Sequence, residues 1–381
     1  MKQGALEKCI QISEDPYSYL SNLKNESKKK IISCFAMHIP EEIIHAAGML
    51  PVIAWRSNES VTLGHSHVAP YNCGLTRSFV DDIVLGKLEF IDGIVVHRMC
   101  LQAQGMPFIL DQNTKLPYLE YLSMPALYDS IPIKDFLLEE IKRFQTGIEK
   151  YAETQITDEK LNKSIEIYNK NKVFLNEIYE MRRQNPGIIK AREMLCVVHA
   201  SMIMPKEEHT KLLGEIIAEL KKKEIDPAVK NAHKVIISGS MCQTPNLELL
   251  DMIEELNMVV VDDDLFIGSR YIANPVEIGD TPLKAIAERY LKRTPPCPTK
   301  GDIKFDWTDY LIEMLERNKA KGIINLLIKY CPPHMCYYPD IKNKLAERKI
   351  SEIMIEVEHE VISMAQAKTR LQSFVEIIGG V

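Results

Sequence analysis

The chain has 381 residues, 46% of them hydrophobic and 26% charged, and carries a formal net charge of -6. That is enough for two or three domains, each with its own apolar core. The acidic balance leaves no electrostatic footprint for nucleic acid, because Lys28, Lys29 and Lys30 and the run Lys221 to Lys223 sit among acidic neighbours and read as solvated helix faces. The longest apolar stretches, such as Gly322 to Ile328, are far shorter than the roughly 20 residues of a membrane span. MKQGALEKCIQ carries charge where a secretory signal has its apolar core, so a cytoplasmic location without membrane partners is expected. In a reducing compartment nine cysteines are not a disulfide framework; each is a small buried hydrophobe, a reactive thiol or a metal ligand.

IPEEIIHAAGM reads as a short helix, with Pro40 suited to its first turn, Glu41 and Glu42 complementing the positive end of the dipole, and Gly48 stopping it. LPVIAW, Leu50 to Trp55, is a compact apolar strand. Asn72 to Leu85 has helical periodicity ending at Gly86. FIDGIVVHRMC then gives a strand from Ile94 to about His97 that delivers Cys100, and Leu116 to Leu122 forms another strand. From Ile133 to about Leu220 the apolar spacing turns helical, through Phe136, Leu137, Ile141 and Phe144 and again through Leu161, Ile165 and Tyr168.

A second alternating block opens at Val235, with strand VIIS, a turn at Ser238-Gly239-Ser240, and a helix from about Pro245 to Leu256. Strand MVVVDDD, a helix near Thr281 to Leu291, strand GIINLLIKYC, a helix near Pro339 to Arg348, strand EIMIEV and a C-terminal helix complete it. Alternating buried strands and helices predict an α/β protein: two Rossmann or flavodoxin-like parallel-sheet domains with a helical connecting segment. The expected divisions are 1–132, 133–232 and 233–381. The Pro-rich RTPPCPTKGD around Cys297 reads as a surface loop between helices.

In open parallel sheets, ligands sit beyond the carboxyl ends of the strands, where loops converge. Cys100 and Cys331 each follow such a strand, one in each α/β half, and Cys73 opens a predicted helix whose N-H groups and dipole favour a thiolate. Three thiolates from two halves facing one cleft would suit a cubane with one iron left open for an exogenous oxygen. Widely separated cysteines are also found as unrelated core residues.

Several segments together carry a family resemblance: PEEIIHAAGMLPV, YNCGLTRS, FIDGIVVHRMC, PKEEHTKLL, VVVDDDLFIGSRY, IKYCPPHMCYYP, and MIEVEHEV through KTRLQSFVEII. In this order they resemble the smaller (beta) subunit of 2-hydroxyacyl-CoA dehydratases, and the same pattern recurs in benzoyl-CoA reductase subunits. Cys73, Cys100 and Cys331 match that family's cluster ligands, although the acidic residue usual after the second and third is replaced here by Leu101 and Pro332. The resemblance implies a heterodimer with a homologous larger (alpha) subunit, a [4Fe-4S] cluster in each, and a separate ATP-dependent iron-sulfur activator protein that feeds single electrons. It also implies the reaction: an electron on the thioester carbonyl of a 2-hydroxyacyl-CoA makes a ketyl radical, which expels the neighbouring hydroxyl and acidifies the β-hydrogen, giving the 2-enoyl-CoA. A benzoyl-CoA reductase-like or double-cubane reductase subunit and a cluster-free scaffold are the alternatives.

Other residues have blander expectations. Glu42 and His45 are candidates for proton handling, against helix capping and packing. Cys336 is expected to be a packed thiol at a helix start rather than an alternative ligand, and Cys9, Cys34, Cys196, Cys242 and Cys297 are expected to be structural. Asp262, Asp263 and Asp264 are expected to cap a helix and order a loop rather than hold Mg²⁺. Ser238-Gly239-Ser240 is expected to be a tight turn rather than a phosphate cradle, and His65 and His67 lack a third ligand of matching spacing.

Overall fold

The computed structural model describes residues 4–35, 37–53, 60–125, 131–239, 246–292, 295–299, 306–358 and 363–380. Helices α1 (Ala5–Glu14) and α2 (Pro16–Ser27) lead into β1 (Ile31–Phe35), α3 (Glu41–Ala46), β2 (Leu50–Val52), α4 (Gly74–Val84), β3 (Gly93–His97), α5 (Leu101–Asn113) and β4 (Tyr118–Leu122). The four strands form one parallel sheet in the order β2-β1-β3-β4. Four long helices follow: α6 (Ile131–Ala152), α7 (Asp158–Gln184), α8 (Ala191–Ile203) and α9 (Lys206–Leu220). The second half contains β5 (His233–Gly239), α10 (Leu247–Glu255), β6 (Met258–Asp264), α11 (Pro282–Leu291), α12 (Trp307–Asn318), β7 (Gly322–Ile328), α13 (Pro332–Glu347), β8 (Ser351–Val357) and α14 (Met364–Gly379). Its sheet is parallel, with the order β6-β5-β7-β8. Both sheets therefore repeat one topology, in which the first strand of each half lies between its second and third.

Strands β1, β3, β6 and β7 are buried at every position; β1, β3 and β7 read as largely apolar runs, whereas the edge strand β6 ends in three buried aspartates. In the second sheet the period-2 alternation feeds two cores. Val235 and Ile237 pack with Leu371 and Phe374 of α14, while Ile236 packs with Trp307 and Leu311 of α12 and Leu345 of α13. The first sheet shares one core with the long helices, through residues such as Val95, Phe144, Leu175 and Leu213. No helix among the described residues is long and apolar enough to cross a membrane.

Several expectations are corrected by the fold. The LPVIAW strand ends at Val52, and Ala54 and Trp55 lie outside the described residues. Ser238 and Gly239 belong to β5, and Ser240 and Cys242 lie outside the described residues. Gly239 has φ +140°, and a Cβ there would stand 1.9 Å from the Leu326 carbonyl oxygen, so it is a close backbone approach between neighbouring strands. Helix α13 begins at Pro332 rather than near Pro339, with Cys336 exposed along it and not packed at its start. The segment around Cys297 tucks inward, since Pro296 and Pro298 are buried and Arg270 donates to the Pro296 carbonyl at 2.6 Å.

His209, inside α9, is fully buried with both ring nitrogens committed. Nε2 faces the Val197 carbonyl at 3.0 Å and must donate, so Nδ1 accepts from Asn171 at 3.0 Å. This fixes a neutral imidazole. Burial, helped by the Lys206 charge, pushes its pKa down to about 3. The unfolded chain takes up the proton near pH 6.5 and the folded chain does not, so this contribution is complete above pH 6.5 and is lost as pH falls towards 3. At about 1.4 kcal/mol per pH unit, unfolding experiments should lose roughly 2 kcal/mol between pH 6.5 and 5. His209→Gln should flatten that slope; an unchanged slope would show that the residue is not held neutral.

Candidate functional site

Three of the cysteines occupy equivalent local settings. Cys73 is the N-cap of α4, Cys100 of α5 and Cys331 of α13. Cys100 and Cys331 also follow the third strand of their respective sheets, so the repeated topology puts them at matching strand ends. Cys73 packs against the cores of both halves, Cys100 against the first and Cys331 against the second. All three are partly exposed, whereas Cys9, Cys34 and Cys196 are buried as expected of structural thiols.

Each thiol has a local polar neighbour: Thr76 Oγ1 lies 3.4 Å from Cys73 Sγ, the Ala103 N-H donates to Cys100 Sγ at 3.5 Å, and His334 Nδ1 lies 3.3 Å from Cys331 Sγ. Burial raises the Cys100 thiol above its ordinary value, the Ala103 N-H opposes this, and a charge on Cys73 would raise it further. Burial and the Arg270 charge hold His334 neutral, down to about 3.

The rim is cross-linked between the halves. The Gln102 amide joins two loops, meeting the Cys73 N-H at 3.0 Å and the carbonyls of Tyr71 and Tyr330 at 3.3 and 2.8 Å. Arg77 of α4 donates to the Asn72 carbonyl at 3.1 Å and pairs with Glu358, which also meets Lys329. Nothing in the sequence singled out Gln102 beyond its place two residues after Cys100. Among the described residues, no group of three or more His, Cys, Asp or Glu side chains is gathered closely enough to hold a single metal ion. His65 and His67 are exposed.

The other sequence candidates lie in a separate buried charged group. Glu42 does not cap a helix; its carboxylate is paired with Arg289 of α11, both buried. His45 Nδ1 donates to Ser164 Oγ at 2.8 Å, Ser164 donates to the Glu42 carbonyl, and His45 Nε2 pairs with Glu207 at 3.5 Å. Glu41 lies 3.7 Å from Lys206 Nζ and accepts from Tyr271 at 3.0 Å. Burial raises Glu41 despite Lys206, whereas for Glu42 burial is outweighed by the combined charges of Arg289 and Lys172 and by hydrogen bonding, which hold the carboxyl below its ordinary value.

Asp262, Asp263 and Asp264 lie in β6 and do not cap a helix, but Asp263 orders the turn that follows by accepting from the Leu265 and Ser269 N-H groups. They are buried and their carboxylates are engaged: Asp262 by Arg183, Arg317 and Asn318; Asp263 by Arg182, Tyr179 and Ser269; Asp264 by Arg270, Trp307 and Ser238. This saturation by cations and donors opposes a Mg²⁺ site.

A doubled parallel α/β fold with cysteines at corresponding strand ends, and the segments around them, define the class. A family described as 2-hydroxyglutaryl-CoA dehydratase, D-component, matches residues 36–378, and the chain belongs to it as an enzyme subunit of the dehydratase type. Among characterised proteins it is similar to the (R)-phenyllactyl-CoA dehydratase beta subunit of Clostridium sporogenes, 28% identical over 96% of each chain. It is also similar to a benzoyl-CoA reductase subunit of Thauera aromatica, 27% identical over 86% of this chain and 85% of that one. The (R)-2-hydroxyglutaryl-CoA dehydratase subunit beta of Acidaminococcus fermentans is 26% identical over 97% of this chain and 98% of its own.

Proposed function

We propose that the chain is the smaller subunit of a (R)-2-hydroxyacyl-CoA dehydratase, with Cys73, Cys100 and Cys331 holding a [4Fe-4S] cluster. The observation that carries this reading is the placing of three partly exposed thiols at three helix N-termini, two of them at equivalent strand ends. The α4 and α5 termini present orphan N-H groups, and all three termini present the positive end of a dipole, α13 without N-H groups at its first two positions, Pro332 and Pro333; both features favour a thiolate and an anionic cofactor. A cubane takes each thiolate on a different iron, so its ligands need not converge as they would on one ion. When bound, such a cluster supplies one-electron transfer and, with three protein thiolates, an iron open to an oxygen ligand.

The chain's own residues position, shield and handle protons. Loading must release the Cys100 proton, whose removal burial opposes, so assembly should be favoured by rising pH. Glu41, not Glu42, is the carboxyl suited to hold a proton, since Arg289 keeps Glu42 ionised. Exposed Tyr71, Leu101 and Met335 border the cysteine-bearing loops, and exposed Phe108 lies further along α5, Leu101 and Phe108 being 80% and 79% exposed. Apolar side chains left in water there suit coverage by the homologous larger subunit. An ATP-dependent iron-sulfur activator protein would deliver the electron. The likeness to the Thauera aromatica benzoyl-CoA reductase protein supports a second reading, a reductase subunit for an aromatic acyl-CoA.

Anaerobic co-expression with a homologous larger subunit tests the assignment. A heterodimer that, with activator and ATP, converts a (R)-2-hydroxyacyl-CoA to the enoyl-CoA with loss of water is the expected result. A stable monomer with full activity would contradict the partner, and reduction of an aromatic acyl-CoA without dehydration would favour the second reading.

A further inference from the structure

Gln102 stands second in α5, two residues after Cys100, yet its side chain bonds the backbone beside the other two rim cysteines, Cys73 and Cys331. Its Oε1 accepts from the Cys73 N-H at 3.0 Å, and its Nε2 donates to the Tyr71 carbonyl at 3.3 Å and the Tyr330 carbonyl at 2.8 Å. The amide orientation is determined by these partners: a flipped group would set oxygen against two carbonyls and NH₂ against an N-H. Tyr330 has φ +61°, a conformation an L-residue adopts only at a cost, and the Cys331 N-H closes the same turn on the Ile328 carbonyl at 3.2 Å. Gln102 thus binds the residue before Cys331 to Cys73 itself, from a helix whose N-cap is Cys100.

We infer that Gln102 is a positioning residue that sets the spacing of the three thiols across the seam between the two sheets. The inference rests on the reading that these thiols hold a cluster. An amide is the group required, because the seam offers one donor and two acceptors at once; a carboxylate satisfies only the donor, and a hydrocarbon none. The cluster's irons would then meet thiolates whose separation is fixed before loading, which is the role of supporting hydrogen bonds around a metal site.

The test compares the wild-type chain with Gln102→Leu and the near-isosteric Gln102→Glu. In the cluster-free chain, amide deuterium exchange is read in residues 71–75 and 329–333. In the anaerobically reconstituted chain, the rate of iron release to a chelator and the electron paramagnetic resonance spectrum of the reduced cluster are read. Gln102→Leu should speed exchange in both segments on the order of tenfold, the effect of losing one ordinary hydrogen bond. Gln102→Glu should speed it mainly in 329–333 and less in 71–75, where its oxygen still accepts from Cys73 although the bond to Tyr71 is lost. Both variants should release iron several-fold faster and alter the spectrum, which a merely fold-stabilising contact would not do. Unchanged exchange in Gln102→Leu overturns the clamp, and raised exchange with unchanged iron release and spectrum overturns its role in spacing the thiols. A wild-type chain that takes up no iron overturns the cluster reading and the spacing role with it, while the exchange measurement still decides the clamp.

Discussion

Replacing Arg182 by methionine should lower the stability of the chain by about 3–5 kcal/mol, the cost of leaving one member of a buried ion pair alone. Arg182 lies in α7, is 1% exposed, and donates from Nε to the Val260 carbonyl at 2.8 Å and from Nη1 to Asp263 Oδ2 at 3.3 Å. Asp263 is equally buried and also accepts from Tyr179 at 2.8 Å and the Ser269 N-H at 3.0 Å. Burial raises the Asp263 carboxyl, with Arg182 the first of the influences opposing it. The turn after β6 wraps so closely on this carboxylate that a Cβ on Gly268 would stand 2.0 Å from Asp263 Oδ1. By contrast the exposed pair Lys142–Glu139 is worth about 0–1 kcal/mol at most. Chemical denaturation should show the loss, and Arg182→Met combined with Asp263→Asn should recover part of it because no charge is then stranded. A loss below about 1 kcal/mol in the single variant would mean that this pair does not fasten α7 to β6.

The same aspartates mark a boundary of what one sequence reveals. MVVVDDD shows its strand through Val259, Val260 and Val261, but the run of acids reads as a loop because several of its partners, Arg182 and Arg183 on α7 and Arg317 on α12, lie far along the chain. Strands β3 and β7 were legible for a physical reason: a strand covered on both faces reads as a near-continuous apolar run. The start of α13 was not. Pro332 and Pro333 look like helix breakers, yet a proline costs nothing in a first turn, where its missing N-H would have had no partner. Moving that boundary carried Cys336 from a packed helix start to an exposed position.

For the site, strand ends and helix starts are visible in local pattern, so Cys73, Cys100 and Cys331 could be singled out. The identical order of the two sheets, which makes Cys100 and Cys331 counterparts, depends on pairing between strands and had no local signal. The Gln102 bridge to Tyr330 and the Arg77–Glu358 pair depend on how the halves meet. Likewise, Glu42 carried no sign that its partner would be Arg289, 247 residues away.

Serine in place of Cys73, Cys100 or Cys331 should abolish cluster retention, because a hard hydroxyl is a poor ligand for iron where a soft thiolate is needed. Loss of the cluster should also lower thermal stability, since a group bound only by the folded chain stabilises it. Cys9→Ser and Cys297→Ser are the comparisons: Cys9 is a buried packing residue whose thiol burial pushes up to about 12, and Cys297 Sγ is engaged with Thr299 Oγ1 at 3.0 Å. The deciding measurement is iron and sulfide per chain, with visible absorbance, on the wild-type protein and these five variants prepared without oxygen. About four irons should be found in the wild type, Cys9→Ser and Cys297→Ser, with little or none in the other three. A wild-type chain without iron, or a Cys331→Ser variant that keeps its full complement, would contradict the account.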